Sequence, residues 1–223
     1  MKDWWKFMFS EQVLKQDSLG IVKLRTDKTR LCIVRDTVGA RPWLRWLASR
    51  LARREAATLR LIGERAGFPR LLGFDGCRVL RSYLAGVPLY AAAPPPRYFR
   101  DARRALAQLH RLGIAHNDLA KEANWIVMHD GRPGIVDFQL AIVFRRRGKL
   151  FRWLAREDLR HLLKHKRHYH PATLSARELA ILARPSLAAR LWRRFFKPPY
   201  RFVTQHILRR PARRGPIERG VPD

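Results

Sequence analysis

The chain has 223 residues, enough for one large domain or two small lobes around a cleft, and 47% hydrophobic content excludes wholesale disorder. Two cysteines, Cys32 and Cys77, with no C-x-x-C pair exclude a disulfide scaffold and point to a reducing cytoplasm, and no apolar run approaches transmembrane length. Lys and Arg number 47 against 18 acids, a formal charge of +29 that excludes no fold but attracts polyanions.

The excess is densest in residues 141 to 223, which hold 22 Lys or Arg against 5 Asp or Glu. Met1 to Ser10 mixes Trp4, Trp5, Phe7 and Phe9 with Lys2 and Lys6 and is read as a segment packing on the first lobe, with a membrane-interface anchor as the competing reading. Residues 11 to 38 read as strands: Leu19 to Leu24 and Arg30 to Val34 are apolar runs, and Asp27-Lys28-Thr29 turns between them. Leu44 to Ile62 reads as a helix, with Trp43, Trp46, Leu47, Leu51 and Leu59 at helical spacing expected in the core and Arg41, Arg45, Arg50, Arg53 and Arg54 interleaved; a basic amphipathic helix that meets a membrane or RNA is the competing reading. Gly67-Phe68-Pro69 breaks it. Leu71 to Phe74 and Cys77 to Tyr83 read as strands around Asp75-Gly76. The AAAPPP run from Ala91 to Pro96 punctuates, and Tyr98 to Leu112 is a helix ended by Gly113.

The stretch from His116 to Ala141 carries the chemistry. It sets Asp118, Asn124 and Asp137 in order around two apolar runs, Trp125 to Met128 and Gly134 to Val136, joined by a turn at Asp130-Gly131. A loop carboxylate that orients an attacking hydroxyl, followed by an amide oxygen and a second carboxylate able to hold magnesium, is what phosphoryl transfer requires. Residues 150 to 196 read as two or three basic helices, and Pro211 to Asp223 as a loose tail. His161 and His165 share a helix face, but no glutamate follows His161 as a zinc motif needs, so a phosphate-facing basic helix is the reading. Leu191 to Phe202 alternates arginines with aromatics, which suits single-stranded RNA and a membrane surface equally.

His116-Asn117-Asp118-Leu119, Asn124 and Asp137-Phe138-Gln139 resemble the protein-kinase signature H-R-D-L-x-x-x-N followed by D-F-G. The chain is most similar to compact bacterial phosphotransferases of the RIO and lipopolysaccharide-kinase type. That resemblance implies an α+β, two-lobe fold: an N-terminal segment over 1–17, a β-rich N-lobe over 18–90, a trimmed helical C-lobe over 91–210 and a tail over 211–223. It implies ATP and Mg²⁺ as cofactors, Asp118 orienting the acceptor hydroxyl, Asn124 and Asp137 holding metal, and Lys121 neutralising the transferring phosphate.

Four departures from the family pattern are visible. Asn124 follows Asp118 by six residues, where the family has five. Gln139 replaces the hinge glycine, which implies a fixed Asp137. Gly20 alone stands where a glycine-rich phosphate loop belongs. Arg35 occupies the place of the strand lysine, with Glu55 as its helix partner; it either pairs bidentately and still reaches phosphate, or marks a pseudokinase, and Lys23 is the substitute cation. The acceptor is then a protein Ser/Thr hydroxyl or an envelope sugar or lipid hydroxyl. Charge favours a polyanionic partner (anionic lipid, lipopolysaccharide precursor, RNA or ribosome) met in the cytoplasm or at the inner face of the membrane. The competing class is a pseudokinase serving as a basic membrane- or RNA-binding module.

Overall fold

A computed structural model describes residues 9–27 and 30–183. The Met1 to Ser10 reading thus falls mostly outside the described residues, as do the Lys28-Thr29 turn, the Leu191 to Phe202 stretch and the tail.

An antiparallel sheet forms the first lobe. β1 (Phe9–Asp17), β2 (Gly20–Asp27), β3 (Arg30–Asp36), β4 (Leu71–Phe74) and β5 (Arg78–Ser82) lie in the order β1-β2-β3-β5-β4. β1 pairs with β2 from Phe9↔Asp27 to Asp17↔Gly20, so the described part of the segment expected to stand apart belongs to this sheet. Its residues alternate weakly in hydrophobicity because both faces of this edge strand are exposed, which hides it from a periodicity reading.

Between β3 and β4 in the chain runs α1 (Arg45–Ile62), entered through a 3-10 turn with Pro42 at its start. It buries Ala48, Ala52, Glu55, Ala56, Leu59 and Ile62, a stripe in which the alanines permit close approach to the sheet. It ends at Gly63, whose φ of 67° turns the chain while its N–H bonds Leu59 O at 2.9 Å. Trp43 and Trp46, expected in the core, stand out of it at 51% and 67% exposure. The 3-10 turn rotates Trp43 off the buried stripe, and Trp46 faces directly away from Ala48, Ala52 and Glu55.

The second lobe holds α2 (Pro96–Arg111), α3 (Lys149–Tyr169) and α4 (Ala176–Ala183), with small sheets of β6 (Gly86–Pro88), β8 (Trp125–Met128) and β9 (Pro133–Ile135), and of β7 (Ile114–Ala115) with β10 (Ile142–Val143). β8 alternates, placing Trp125 and Val127 in the core. Trp125 is wholly buried and satisfies its indole by donating to Leu119 O at 3.1 Å; truncating such a side chain costs about 3–5 kcal/mol.

One core joins the lobes. Ala52, Leu59, Ile62 and Val79 from the first pack with Leu106, Trp125, Ile135 and Phe138 from the second. Phe68 meets Phe138 edge-on at 6.3 Å, and Ile135 N donates to Gly67 O at 2.9 Å. The crossing fixes the chain carrying Asp137 against the chain carrying Glu55.

Candidate active site

Two loops and one helix converge at the seam between the lobes. Asp118, Asn124 and Asp137 come from the segments flanking β8 and β9, Arg35 from β3, and Glu55 from the inner face of α1.

The loop before β8 is held from below by α3. The buried Asp158 carboxylate accepts His116 N at 2.8 Å and Asn117 N at 2.9 Å, and lies 3.3 Å from His110 Nε2. Asn117 adopts a left-handed conformation, φ 63°, which asparagine tolerates better than most residues, and its amide donates to Leu140 O at 3.1 Å. The buried His116 ring donates through Nε2 to Val136 O at 3.1 Å, tying the loop to the residue before Asp137. Val136 N in turn donates to Asn124 O at 3.0 Å.

Asp118 Oδ2 accepts Lys121 Nζ at 2.6 Å and Asn124 Nδ2 at 3.0 Å, while the same Asn124 amide reaches Asp118 O at 2.8 Å. Both contacts fall on Oδ2. Asn124 spends its NH₂ on Asp118, which leaves its carbonyl oxygen to act as a ligand. Lys121 is largely exposed beyond its ion pair.

The longer spacing from Asp118 to Asn124 closes as a 3-10 turn, Glu122–Asn124, that points Glu122 inward. Glu122 accepts Tyr169 OH at 3.0 Å and lies 3.6 Å from His165 Nδ1, while His165 Nε2 donates to Leu119 O at 2.9 Å. His165 is therefore spent inside the fold, its pKa lowered by burial against the pull of Leu119 O and Glu122. Among the described residues no group of three or more His, Cys, Asp and Glu can hold a metal alone.

Asp137 is left-handed, φ 68°, and Gln139 Nε2 donates to its Oδ1. The glutamine in the glycine's place thus clasps the carboxylate it follows. Arg35 Nη1 stands 3.9 Å from the same oxygen and 3.8 Å from Glu55 Oε2, one nitrogen shared between two carboxylates rather than the bidentate pair expected. A second guanidinium, Arg81 on β5, brings Nε to 3.3 Å from Glu55 Oε1. Arg81 sits directly across from Ile33, on the face of the sheet that Arg35 uses.

Electrostatics separate the two carboxylates. Glu55 is fully buried, and burial raises its pKa despite the opposing fields of Arg81 and Arg35. Burial pushes Asp137 the same way, but Arg35, Arg81, Lys121 and His116 outweigh it and hold the group below the ordinary carboxylate range. Asp137 stays ionised; Glu55 is the strained member.

Not every expected residue arrives. Lys23 lies across from Val34, on the opposite face of the sheet from Arg35, and pairs with Glu11 at 2.9 Å. Gly20 closes the β1–β2 hairpin at the Arg35 end of the sheet. Its φ of 123° and the approach of Asp36 O, 2.2 Å from where a Cβ would stand, account for the glycine without any phosphate. Arg81, Glu122 and Asp158 were missed, and of these only Asp158, an acid inside a basic helix, carries a signal in the sequence; Gln139 was read as fixing Asp137, though not through the hydrogen bond it makes.

An Asn carbonyl and an ionised Asp suit a hard cation that keeps water and phosphate oxygens as its other ligands, so the donor set fits magnesium bound together with a nucleotide.

No protein-family profile matches the chain, and no curated protein sequence matches it. Solved structures do. The Rio2 kinase from Chaetomium thermophilum superposes with a TM-score of 0.57 at 14% identity, over 79% of this chain and 63% of that one. At that identity the likeness establishes a protein-kinase-like, two-lobe α+β fold. The chain spans less than two thirds of that relative's length.

Proposed function

We propose that the protein is an ATP-dependent phosphotransferase that moves the γ-phosphoryl group to a hydroxyl. The observation carrying this reading is the single line of charge from Glu55 through Arg35 to Asp137 across the seam of a kinase-like fold, with Asp118 and Asn124 bonded to each other on the loop that Val136 ties to Asp137. An ordinary structural hairpin needs none of these groups facing one another.

Asp118 offers Oδ1 to the acceptor hydroxyl, orienting its lone pair for attack and taking its proton as the new bond forms. Asn124 Nδ2 and Lys121 Nζ hold the other oxygen and so fix the carboxylate's direction. Asn124 Oδ1 and Asp137 would hold the metal, and Gln139 and the His116–Val136 bond keep Asp137 in place. A magnesium ion held there would supply positive charge to offset that of the phosphates. Arg35, held by Glu55 and backed by Arg81, presents a guanidinium to the phosphates where the family pattern has an ammonium. Lys121, exposed at the rim, balances charge on the transferring group.

The acceptor is polyanionic or lies on a polyanionic surface, as the +29 charge favours. Both a protein Ser/Thr hydroxyl and an envelope sugar or lipid hydroxyl meet that description, and the site of action is the cytoplasm or the membrane's inner face.

Nucleotide binding separates the metal role from folding. A thermal shift on adding ATP is expected only when Mg²⁺ is present, and Asp137→Asn should abolish it while keeping the ligand-free melting temperature within a few degrees. A shift in Asp137→Asn equal to that of the unsubstituted chain would remove Asp137 from the site.

A further inference from the structure

The outer face of α1 has no part in the site. Trp46, Arg50 and Arg53 recur at helical spacing on one stripe, opposite the buried Ala48, Ala52 and Glu55. Trp43, Arg41 and Arg45 extend the stripe at the helix entrance, all exposed. Residues 37–62 contain six arginines and one acid, and that acid is Glu55, buried on the other side. Among the described residues no carboxylate forms an ion pair with Arg41, Arg45, Arg50 or Arg53. A surface that leaves two indoles in water beside four such guanidiniums has a partner, and the partner is anionic.

We infer that this face docks the protein on an anionic membrane. The helix is about 27 Å long, and its exposed stripe from Trp46 to Arg53 lies on the side away from the sheet. Indoles prefer the head-group depth, where the ring loses water and the N–H keeps a partner, and each arginine near the surface adds attraction to anionic lipid. Single-stranded nucleic acid is bound instead in a groove that tracks its backbone, of which a stripe along one helix supplies one wall. Val38, 52% exposed five residues before Trp43, adds an aliphatic side chain that gains from an acyl boundary and offers no stacking face to a base. The inner face of the same helix carries Glu55, so docking sets the cleft at a fixed distance from the bilayer. The inference concerns binding and stands apart from the catalytic reading.

The test uses the full chain and sedimentation with vesicles of phosphatidylcholine alone or mixed with phosphatidylglycerol. Binding is expected only to the mixed vesicles. Trp43→Ser/Trp46→Ser should weaken it by roughly tenfold or more, and Arg50→Gln/Arg53→Gln by about 30-fold; both variants should melt as the unsubstituted chain does, since all four side chains are exposed. Quenching of tryptophan emission by brominated-chain lipid gives a second readout, and the tryptophan variant should lose part of it. Equal vesicle binding by both variants would overturn the inference, because the contact would then lie on another segment. So would absence of vesicle binding, or poly(U) RNA binding that the same substitutions abolish while vesicles are ignored.

Discussion

Glu55 is fully buried between Arg35 and Arg81, and neither carboxylate oxygen has a well-formed hydrogen bond within the protein. Removing one partner of such a buried group leaves charge uncompensated, whereas neutralising the group relieves it. Arg81→Met should therefore destabilise the fold by about 3 kcal/mol, and Glu55→Gln should suppress most of that loss in the double variant. The sign with pH follows. Glu55 has a raised folded-state pKa, so its contribution is full below its ordinary value of 4.5 and is lost as pH rises. Glu55→Gln alone should match or exceed the unsubstituted melting temperature at pH 8 while slowing turnover, since Arg35 loses its anchor. Chemical denaturation of the four proteins in the cycle checks this; additive effects of the two substitutions would deny the coupling. Arg35 and Glu55 were readable because a strand-then-helix order places them. Arg81 was not, because pairing of β5 with β3 decides its face and no local pattern reveals a register between strands 40 residues apart.

α3 shows how a basic helix supports the site. Its Asp158 clamps the backbone of His116 and Asn117, its His165 and Tyr169 hold the lengthened loop, and its His161 is half-buried on the same helix. Burial first, and Lys164 second, press the His161 pKa down to about 4, against the opposing field of Asp158. A histidine whose pKa falls on folding stabilises the neutral state, so stability is full above its ordinary value of 6.5 and drains away as pH falls toward 4. The melting temperature should drop between pH 7 and pH 5, and His161→Gln should lose less over that interval than the unsubstituted chain. Equal losses would place the acid sensitivity elsewhere. The sequence announced this helix through its length and composition, yet presented its histidines as a surface cluster facing phosphate. Burial of cationic residues depends on what packs over them, and that information is not local. The same holds for Trp43 and Trp46: their spacing is helical, but which stripe faces inward was decided by alanines.

At the scale of the molecule, the order of elements was legible because strand, helix and hairpin signals in the kinase-like pattern are local. The strands β4, β5 and β8 fell where their apolar runs lie, and α2 was announced by Pro96 and Gly113. The edge was legible only in part: residues 11 to 38 read as strands, but β1 pairs on one side only and has little apolar pattern to set its bounds. The one-residue lengthening between Asp118 and Asn124 looked like damage to a motif, and the structure converts it into a turn that drives Glu122 inward toward Tyr169. A core that runs through both lobes holds the site's two halves together.

The measurement that tests phosphoryl transfer most directly is ATP turnover by the purified chain against Asp118→Asn, in magnesium, with anionic vesicles present. The account predicts measurable turnover that falls by about 10²–10⁴ in the variant, with the magnesium-dependent nucleotide thermal shift retained because Asp118 is not the metal ligand. Equal ATP consumption by the two proteins, or none from a folded unsubstituted chain that binds its nucleotide, would contradict it.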